Sequence, residues 1–221
     1  RLRGSLRYGL ANVSRRAATS IAQVSALGLG LMALLLLTFV RTDLIDRWRL
    51  SLSADAPNRF IINVQPDQLD GVRAFIAEQG VAAPKLYPMI RGRLLGRNGK
   101  PTRGDDYGAQ GERARRFAER EFNLSSADSF GEDNKIVAGK LWPKSGAKTA
   151  ELSVEQGFAE SLNWKLGDRV VFDIAGQRFE AKVTSLRTVE WESFKPNFFV
   201  IASPGALDDY PASYITAVKV G

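Results

Sequence analysis

The feature that most constrains this chain is a stretch of 24 residues between Arg16 and Arg41 that contains no charged side chain. Its central part, IAQVSALGLGLMALLLLTFV at positions 21–40, is apolar over the about 20 helical residues that a bilayer core requires. A buried helix of a soluble domain rarely runs this long without a polar face, and the apolar region of a cleaved secretory signal is shorter, at roughly 7–15 residues. The sequence therefore predicts a retained transmembrane helix over residues 21–41.

Basic residues flank this helix asymmetrically. Residues 1–16 contain five arginines and no acidic residue, whereas the residues that follow the helix carry charges of both signs. The five are Arg1, Arg3, Arg7, Arg15 and Arg16. By the positive-inside rule, the N-terminus is predicted to be cytoplasmic and everything after about residue 42 to lie on the other side of the membrane.

The segment 1–20 is also amphipathic. Its apolar residues recur at helical spacing, at Leu2, Leu6, Leu10 and Val13. This pattern is typical of a basic helix in the inner headgroup region, where each basic side chain contributes on the order of 1 kcal/mol of attraction to anionic lipid. We expect the five arginines to contact headgroups. A cytoplasmic extension of the membrane helix, with the arginines acting only as a topology signal, explains the pattern equally well.

The charge of the rest of the chain bears on its partners. The whole chain has 31 Lys and Arg against 24 Asp and Glu, a net charge of +7, but from Thr42 onward the two counts are 25 and 24. Because the excess lies at the N-terminus, no nucleic-acid partner is expected. The chain has neither Cys nor His, which excludes disulfides, thiolate nucleophiles, Cys/His zinc sites and His-based triads.

After the membrane helix, the periodicity predicts mixed α and β structure. Leu44, Trp48 and Leu52 stand four apart, so the helix is expected to continue as a stalk over residues 42–56, up to the breaker DAPN. A strand at residues 60–64, a helix with the apolar stripe Leu69, Val72 and Ile76, and a strand near residues 86–95 then form a β-α-β unit.

The second half gives stronger signals. Residues 102–131 have a weak pattern and are expected to form a mobile insertion with little core. Ser153 and Gln156 are interpreted as a capping box that begins a helix. Alternating residues at positions 170–174 and 179–183 predict a hairpin with one solvent-exposed face.

One Trp and three Phe lie close together in EWESFKPNFFVIA, at positions 190–202. The composition of residues 197–202 predicts a buried strand, in which the adjacent Phe198 and Phe199 point to opposite faces. At least one ring should therefore lie in the core. Ordinary packing and a surface that docks a partner or hydrophobic cargo both explain the cluster. Its candidate contacts to a client or another subdomain are Trp191, Phe194, Phe198 and Phe199.

Other motifs do not match known sites. GRLLGRNGK lacks the Ser or Thr that follows the Lys of a phosphate-binding loop, and GDDYGAQGE lacks the spacing of an EF-hand. Glu132 and Asp133 are interpreted as a solvated turn. The serines have no candidate base. We expect no catalytic, cofactor-binding or metal-binding residue, and we do not expect an enzyme.

Three segments resemble bacterial ABC-transporter permeases of the FtsX and MacB type. They are LRYGLANVSRR before the span, GFAESLNWKLGDRVVFDIAGQRFEAKVTSLRTVEWESFKPNFFVIASPGAL, and SYITAVKV near the end. Together they cover about a third of the chain. The chain is most similar to the branch in which the permease carries two copies of the membrane unit, the YbbP-like proteins. With no initiator Met, it is expected to be a piece of a longer protein.

The resemblance implies an α+β fold in which one transmembrane helix precedes a periplasmic domain. A membrane-proximal α/β subdomain would comprise residues 57–101 and 190–221, and a mostly-β subdomain inserted into it would comprise residues 102–189. At the cell inner membrane, such a domain transmits movement driven by ATP in a separate cytoplasmic ATPase subunit to a lipid, lipoprotein or protein client. No cofactor is expected on the chain itself. The partners implied are membrane lipid, the ATPase, the rest of the permease and the client. The alternative is a membrane-tethered periplasmic ligand-binding or sensor input domain.

Overall fold

The computed structural model describes residues 17–51, 57–81, 85–143, 147 and 149–219, with no side-chain description for 17, 20 and 46–51. The chain divides into two compact units, Arg1–Ser53 and Ala54–Gly221. The five N-terminal arginines predicted to contact headgroups lie outside the described residues.

The first unit contains one long helix, α1 (Ala17–Ser51). Its apolar part, Ile21–Ile45, has a mean hydropathy of 2.1 and none of it is buried within the protein, so the helix is long and apolar enough to cross a membrane. The hydroxyls of Thr38 and Thr42 donate to the carbonyls of Leu34 and Thr38 at 2.8 and 2.9 Å. These bonds satisfy both hydroxyls within the helix, as an apolar surrounding requires.

The second unit is built mainly of strands. Its strands are β1 (Arg59–Val64), β2 (Tyr87–Arg97), β3 (Lys100–Pro101), β4 (Glu121–Ser126), β5 (Asn134–Gly139), β6 (Glu151–Glu155), β7 (Arg169–Ile174), β8 (Gln177–Val189), β9 (Val200–Ala202) and β10 (Ser213–Val218). Its helices are α2 (Leu69–Glu78), α3 (Glu112–Glu119) and α4 (Gln156–Ser161), with short 3₁₀ turns at Pro66–Gln68, Gly104–Gln110 and Trp191–Ser193. The mixed α and β character predicted from the sequence is confirmed.

Six strands close into a barrel. Successive neighbours are β2, β4, β9, β6, β8 and β7, and β7 pairs again with β2. The β4–β9 and β6–β8 pairs are parallel and the other four are antiparallel. The predicted hairpin is β7–β8, with Val170 opposite Ala181 and Phe172 opposite Phe179. Closure leaves no open edge within the ring, and β5 adds to the free part of β8.

A smaller sheet extends from the barrel strand β2. The first part of β2 pairs with β10, which pairs in turn with β1, both antiparallel. The predicted β-α-β unit is therefore present with β10 between its two strands. Pro66 opens the turn that leads into α2, and Gly80 ends the helix with a φ of +70°. Only Ile76 of α2 is buried.

The barrel interior and the helices around it form one large hydrophobic core. Ile90 and Leu94 of β2 share this core with Leu152 of β6 and Val183 of β8. The core thus joins residues from the range 57–101 with residues from the range 102–189. Phe158 of α4 and Leu162, which follows it, are both buried in this core.

The expectation of an insertion with little core at residues 102–131 is wrong. Tyr107, Ala114, Ala118 and Leu124 are all buried in the main core. The charged residues of this segment occupy the solvent side of α3, which masked the two small alanines that pack inward. Strand β4 is a full member of the barrel because its neighbours are β2 and β9, both distant in sequence.

Two local predictions also need correction. Ser153 lies inside β6, and the N-cap of α4 is Glu155, whose carboxylate accepts hydrogen bonds from the amides of Gly157 and Phe158 at 2.9 and 2.7 Å. A carboxylate at this position also suits the helix dipole. The predicted buried strand over residues 197–202 begins only at Val200.

Candidate functional site

The segment from residue 190 to residue 199, here called the aromatic loop, connects β8 to β9. It begins with the 3₁₀ turn Trp191–Ser193. Phe194 ends that turn in the left-handed region, with a φ of +54°. A side chain with a Cβ is strained there, so the surrounding contacts must hold this conformation. The loop carries all four of the predicted contact residues.

One side of the aromatic loop packs on the main core. The ring of Phe199 stacks on that of Phe158, with centroids 5.1 Å apart and planes at 18°. Trp191 in turn lies 5.0 Å from Phe199, and Phe117 of α3 lies 5.5 Å from it. A continuous series of rings therefore connects a half-exposed tryptophan with the interior of the domain.

Phe198 points the other way. It is 6% exposed and belongs to a second hydrophobic cluster, with Trp142 and Ile201. The indole of Trp142 donates to the carbonyl of Ala127 at 3.0 Å, which fixes this second cluster against the end of β4. Adjacent phenylalanines thus enter two different cores. The predicted opposition of Phe198 and Phe199 is confirmed.

A buried arginine holds the main chain of the aromatic loop. Arg187 of β8 has no exposed surface. Its guanidinium donates to the carbonyls of Ser153 at 2.8 Å, Phe199 at 3.4 Å and Phe198, and to the side-chain oxygen of Asn134 at 2.9 Å. Arg187 thus binds the carbonyls at the end of the loop, and the Phe199 carbonyl also accepts from the amide of Glu155 at 2.7 Å, which continues the pairing with β6 to the residue before β9.

Burial lowers the pKa of the Arg187 guanidinium to about 10, while the negative charges of Glu155 and Asp133 oppose that shift. The group therefore stays charged at neutral pH. Burial of a charge is costly unless hydrogen bonds and opposite charge compensate it, and here hydrogen bonds to the guanidinium and the nearby negative charges of Glu155 and Asp133 do so.

A buried aspartate holds the loop near both of its ends. Asp133 is 6% exposed and accepts a hydrogen bond from the side-chain nitrogen of Asn197 at 2.7 Å. Its carbonyl accepts from the amide of Glu190 at 2.8 Å. The side-chain nitrogen of Asn134 donates to Asn197 at 2.8 Å, which connects the carboxylate to Arg187 through two amides. The interpretation of Asp133 as solvated is wrong, because the aromatic loop covers the turn that contains it.

The sequence contained one unused signal for this network. The alternation that predicted the hairpin places Val183 inward, and Ser185 and Arg187 follow at the same spacing. The predicted hairpin covers residues 170–174 and 179–183 and so ends before them. No local pattern identifies Asp133 or Asn197.

The aromatic loop borders an open groove of about 610 Å³. Apolar side chains line much of it, including Met89, Phe117, Phe122, Trp191 and Phe199. Its charged lining residues are Arg91, Arg120, Glu121 and Lys195. Trp191 is 46% exposed. Phe194, 40% exposed, is not among the lining residues.

A smaller cavity of about 210 Å³ lies on the other side of the loop and shares Pro196, Asn197 and Phe198 with the groove. Burial, and secondarily the charge of Asp133, raises the pKa of the Tyr87 phenol that lines it. Within the described ranges, no group of three or more acidic residues is placed to hold a metal ion.

Comparison with known proteins shows which sequences the chain is similar to. No protein-family model matches the chain. The uncharacterized ABC transporter permease YbbP of Escherichia coli (strain K12) is 41% identical over 214 residues, which cover 97% of this chain. The chain spans about a quarter of the length of that relative, 25%.

Among solved structures, a domain from Porphyromonas gingivalis described as part of a permease is 14% identical. The match covers 74% of this chain and 76% of that one with a TM-score of 0.38, a likeness too low to carry an argument. The identity of 41% to YbbP along nearly the whole chain, together with the apolar helix α1, confirms the predicted resemblance to the YbbP-like ABC transporter permeases.

Proposed function

We propose that the chain is the part of a permease that crosses the cell inner membrane once and carries a periplasmic domain. In this proposal α1 spans the membrane with its N-terminus in the cytoplasm. The domain that follows transmits movement to a lipid, lipoprotein or protein client. A separate cytoplasmic ATPase subunit binds ATP and drives the movement.

The observation that carries this proposal is the anchoring of the aromatic loop. From within the domain, Asp133 binds the loop at Glu190 and Asn197, and Arg187 binds the carbonyls of Phe198 and Phe199. Phe198 and Phe199 enter two different cores. Trp191 and Phe194 nevertheless remain about half exposed. A surface attached this firmly moves with the whole domain, which is what transmission of movement requires. Interiors packed at crystal-like density transmit displacement with little compression.

The natural absence of cysteine makes the topology directly testable. Lys165→Cys places a single thiol on the exposed surface of the domain, and Arg7→Cys places one before α1. In intact cells, a membrane-impermeant maleimide should label the first variant and should label the second only after permeabilisation. The opposite pattern would overturn the proposed orientation.

Movement is tested in the full-length permease with its ATPase. Spin labels at Thr42→Cys and Lys165→Cys report a distance between the end of the span and the domain. We expect ATP to change that distance, and we expect no change when the ATPase carries a substitution that abolishes ATP binding.

The alternative function is a ligand-binding or sensor input domain without an ATPase, which the 610 Å³ groove favours. An ATP-independent distance, together with a change on ligand addition, would support it against the proposal.

A further inference from the structure

The groove beside the aromatic loop combines an apolar floor with a basic rim. Arg91 lies on β2, Arg120 lies between α3 and β4, and Lys195 lies in the aromatic loop. All three side chains are exposed. Three separate segments of the chain therefore bring positive charge to one groove.

The structure records no ion pair for these three cations within the part of the chain that it describes. Among the residues that the structure describes, no carboxylate lies within ion-pair distance of any of them. Other basic residues of the same surface are paired, for example Arg93 with Asp173 at 3.1 Å and Arg115 with Glu119 at 3.0 Å. Glu121 is the single carboxylate among the groove's lining residues. The rim thus has an excess of positive charge that is available to a ligand.

The floor and the volume limit what that ligand can be. Phe117, Phe122, Trp191 and Phe199 offer ring faces and edges to an apolar chain. A volume of about 610 Å³ lies within the roughly 300–1,000 Å³ of sites that enclose one small molecule. Arginine in particular forms bidentate hydrogen bonds with carboxylate or phosphate oxygens.

We propose that the groove binds a single-chain lipid with an anionic head. The acyl chain lies on the aromatic floor, and Arg91, Arg120 and Lys195 hold the head. This inference rests on the proposed function and deepens it, because it assigns the client to one chemical class and one site. A two-chain anionic phospholipid and an acidic peptide are the competing occupants.

The test uses the whole chain in nanodiscs of zwitterionic lipid and a photoactivatable fatty acid that carries a diazirine in its chain. Labelled peptides are identified by mass spectrometry, so that partition into the bilayer, which labels α1, is distinguished from binding in the groove. We expect labels in residues 117–123 and 191–199. Dodecanoate should compete for this labelling and dodecanol should not.

Charge variants make the test quantitative. An exposed ion pair changes affinity by up to about fivefold, so the triple variant Arg91→Gln, Arg120→Gln, Lys195→Gln should reduce labelling of the groove by roughly tenfold or more. A matched triple variant, Lys140→Gln, Lys165→Gln, Lys182→Gln, removes the same charge from exposed positions outside the groove and should label as the natural chain does. Glu121→Gln should increase labelling.

Three results would overturn the inference: equal labelling by the photoactivatable fatty alcohol, equal loss in both triple variants, or competition by phosphatidylglycerol vesicles and by an aspartate-rich peptide but not by dodecanoate. Near-ultraviolet circular dichroism of each variant verifies that the aromatic packing is intact.

Because the isolated chain needs no ATPase to bind, a negative result in the labelling test leaves the proposed transmission of movement in place. A missing ATP-dependent distance change in the full transporter would overturn that proposal and leave the groove's binding intact.

Discussion

The two halves of the aromatic loop, residues 190–194 and 195–199, place the same residue types in different environments. In the second half, Phe198 is 6% exposed and Phe199 stacks on the buried Phe158. In the first half, Trp191 and Phe194 are 46% and 40% exposed. The second half passes over Arg187, which binds its carbonyls. The first half is a 3₁₀ turn on the surface, held by Asp133, which accepts from the amide of Glu190 and the hydroxyl of Ser193. Buried and half-exposed aromatic side chains are therefore both present in a stretch of nine residues.

Removal of the anchor should affect this comparison most. Arg187→Met is expected to reduce the free energy of unfolding by about 3–5 kcal/mol, because it leaves buried carbonyls without a donor and Asp133 without its opposing charge. Chemical unfolding of the whole chain, followed by near-ultraviolet circular dichroism, measures the change. Arg178→Met on the same strand replaces an exposed arginine and is the control, with an expected loss below about 1 kcal/mol. Equal losses would show that the anchor has no special role.

The two phenylalanines of the second half should differ from each other. Phe198→Ala removes a nearly enclosed ring and should cost roughly 3–5 kcal/mol of unfolding free energy. Phe199→Ala should cost visibly less, since its ring is partly exposed to the groove. The same unfolding assay compares them. If both midpoints stayed at that of the natural chain, the second half would be a recognition patch and not core.

The first half should be nearly neutral for stability. Trp191→Ala loses one ring contact with Phe199 and is expected to cost about 1 kcal/mol. Phe194→Gly relieves a left-handed conformation that costs about 1–2 kcal/mol, against about 0.5–1 kcal/mol for the freedom of glycine in the unfolded chain. The substitution also removes the contacts of a ring that is only 40% exposed, so the net change is expected to be close to zero. A loss comparable with that of Phe198→Ala would place Phe194 in the core instead.

The smallest expected effect is on tyrosine ionisation next to the loop. Burial raises the pKa of both Tyr87 and Tyr107 above 10.0, and the charge of Asp133 adds to the shift at Tyr87 alone. Their folded pKa values exceed the unfolded ones, so their contribution to stability is complete below pH 10 and is lost as the pH rises above it. In a spectrophotometric titration, Asp133→Asn should move the ionisation of Tyr87 to lower pH.

Two single variants show which tyrosine gives the titration shift that Asp133→Asn causes. Tyr87→Phe should abolish the difference between the natural chain and Asp133→Asn, whereas Tyr107→Phe should preserve it. A shift that survives Tyr87→Phe would show that the carboxylate acts on another group.

Sequence periodicity predicted the elements whose signals are local. The apolar run of α1, the β7–β8 hairpin and the strand-helix-strand segment around α2 each follow from spacing within about twenty residues. The opposition of Phe198 and Phe199 followed from the alternation of extended backbone. The groove, the barrel and the burial of Asp133 did not follow, because each joins segments that are far apart in sequence: Asp133 meets Asn197 across 64 positions.

The sequence by itself determined that this chain has one membrane-length apolar helix, a nearly neutral domain after it, and no cysteine or histidine chemistry. It also determined which residues are apolar enough to be buried. Only the tertiary structure decided which of these residues are buried. Closure of β2 onto both β4 and β7 forms the enclosed interior, and the burial of Arg187 fixes which face of the aromatic loop meets that interior. The physical reason is that hydrophobic burial depends on the area removed from water and has no preferred direction. Hydrogen bonds to a buried charge have a fixed geometry, so they select one arrangement among those that burial alone permits.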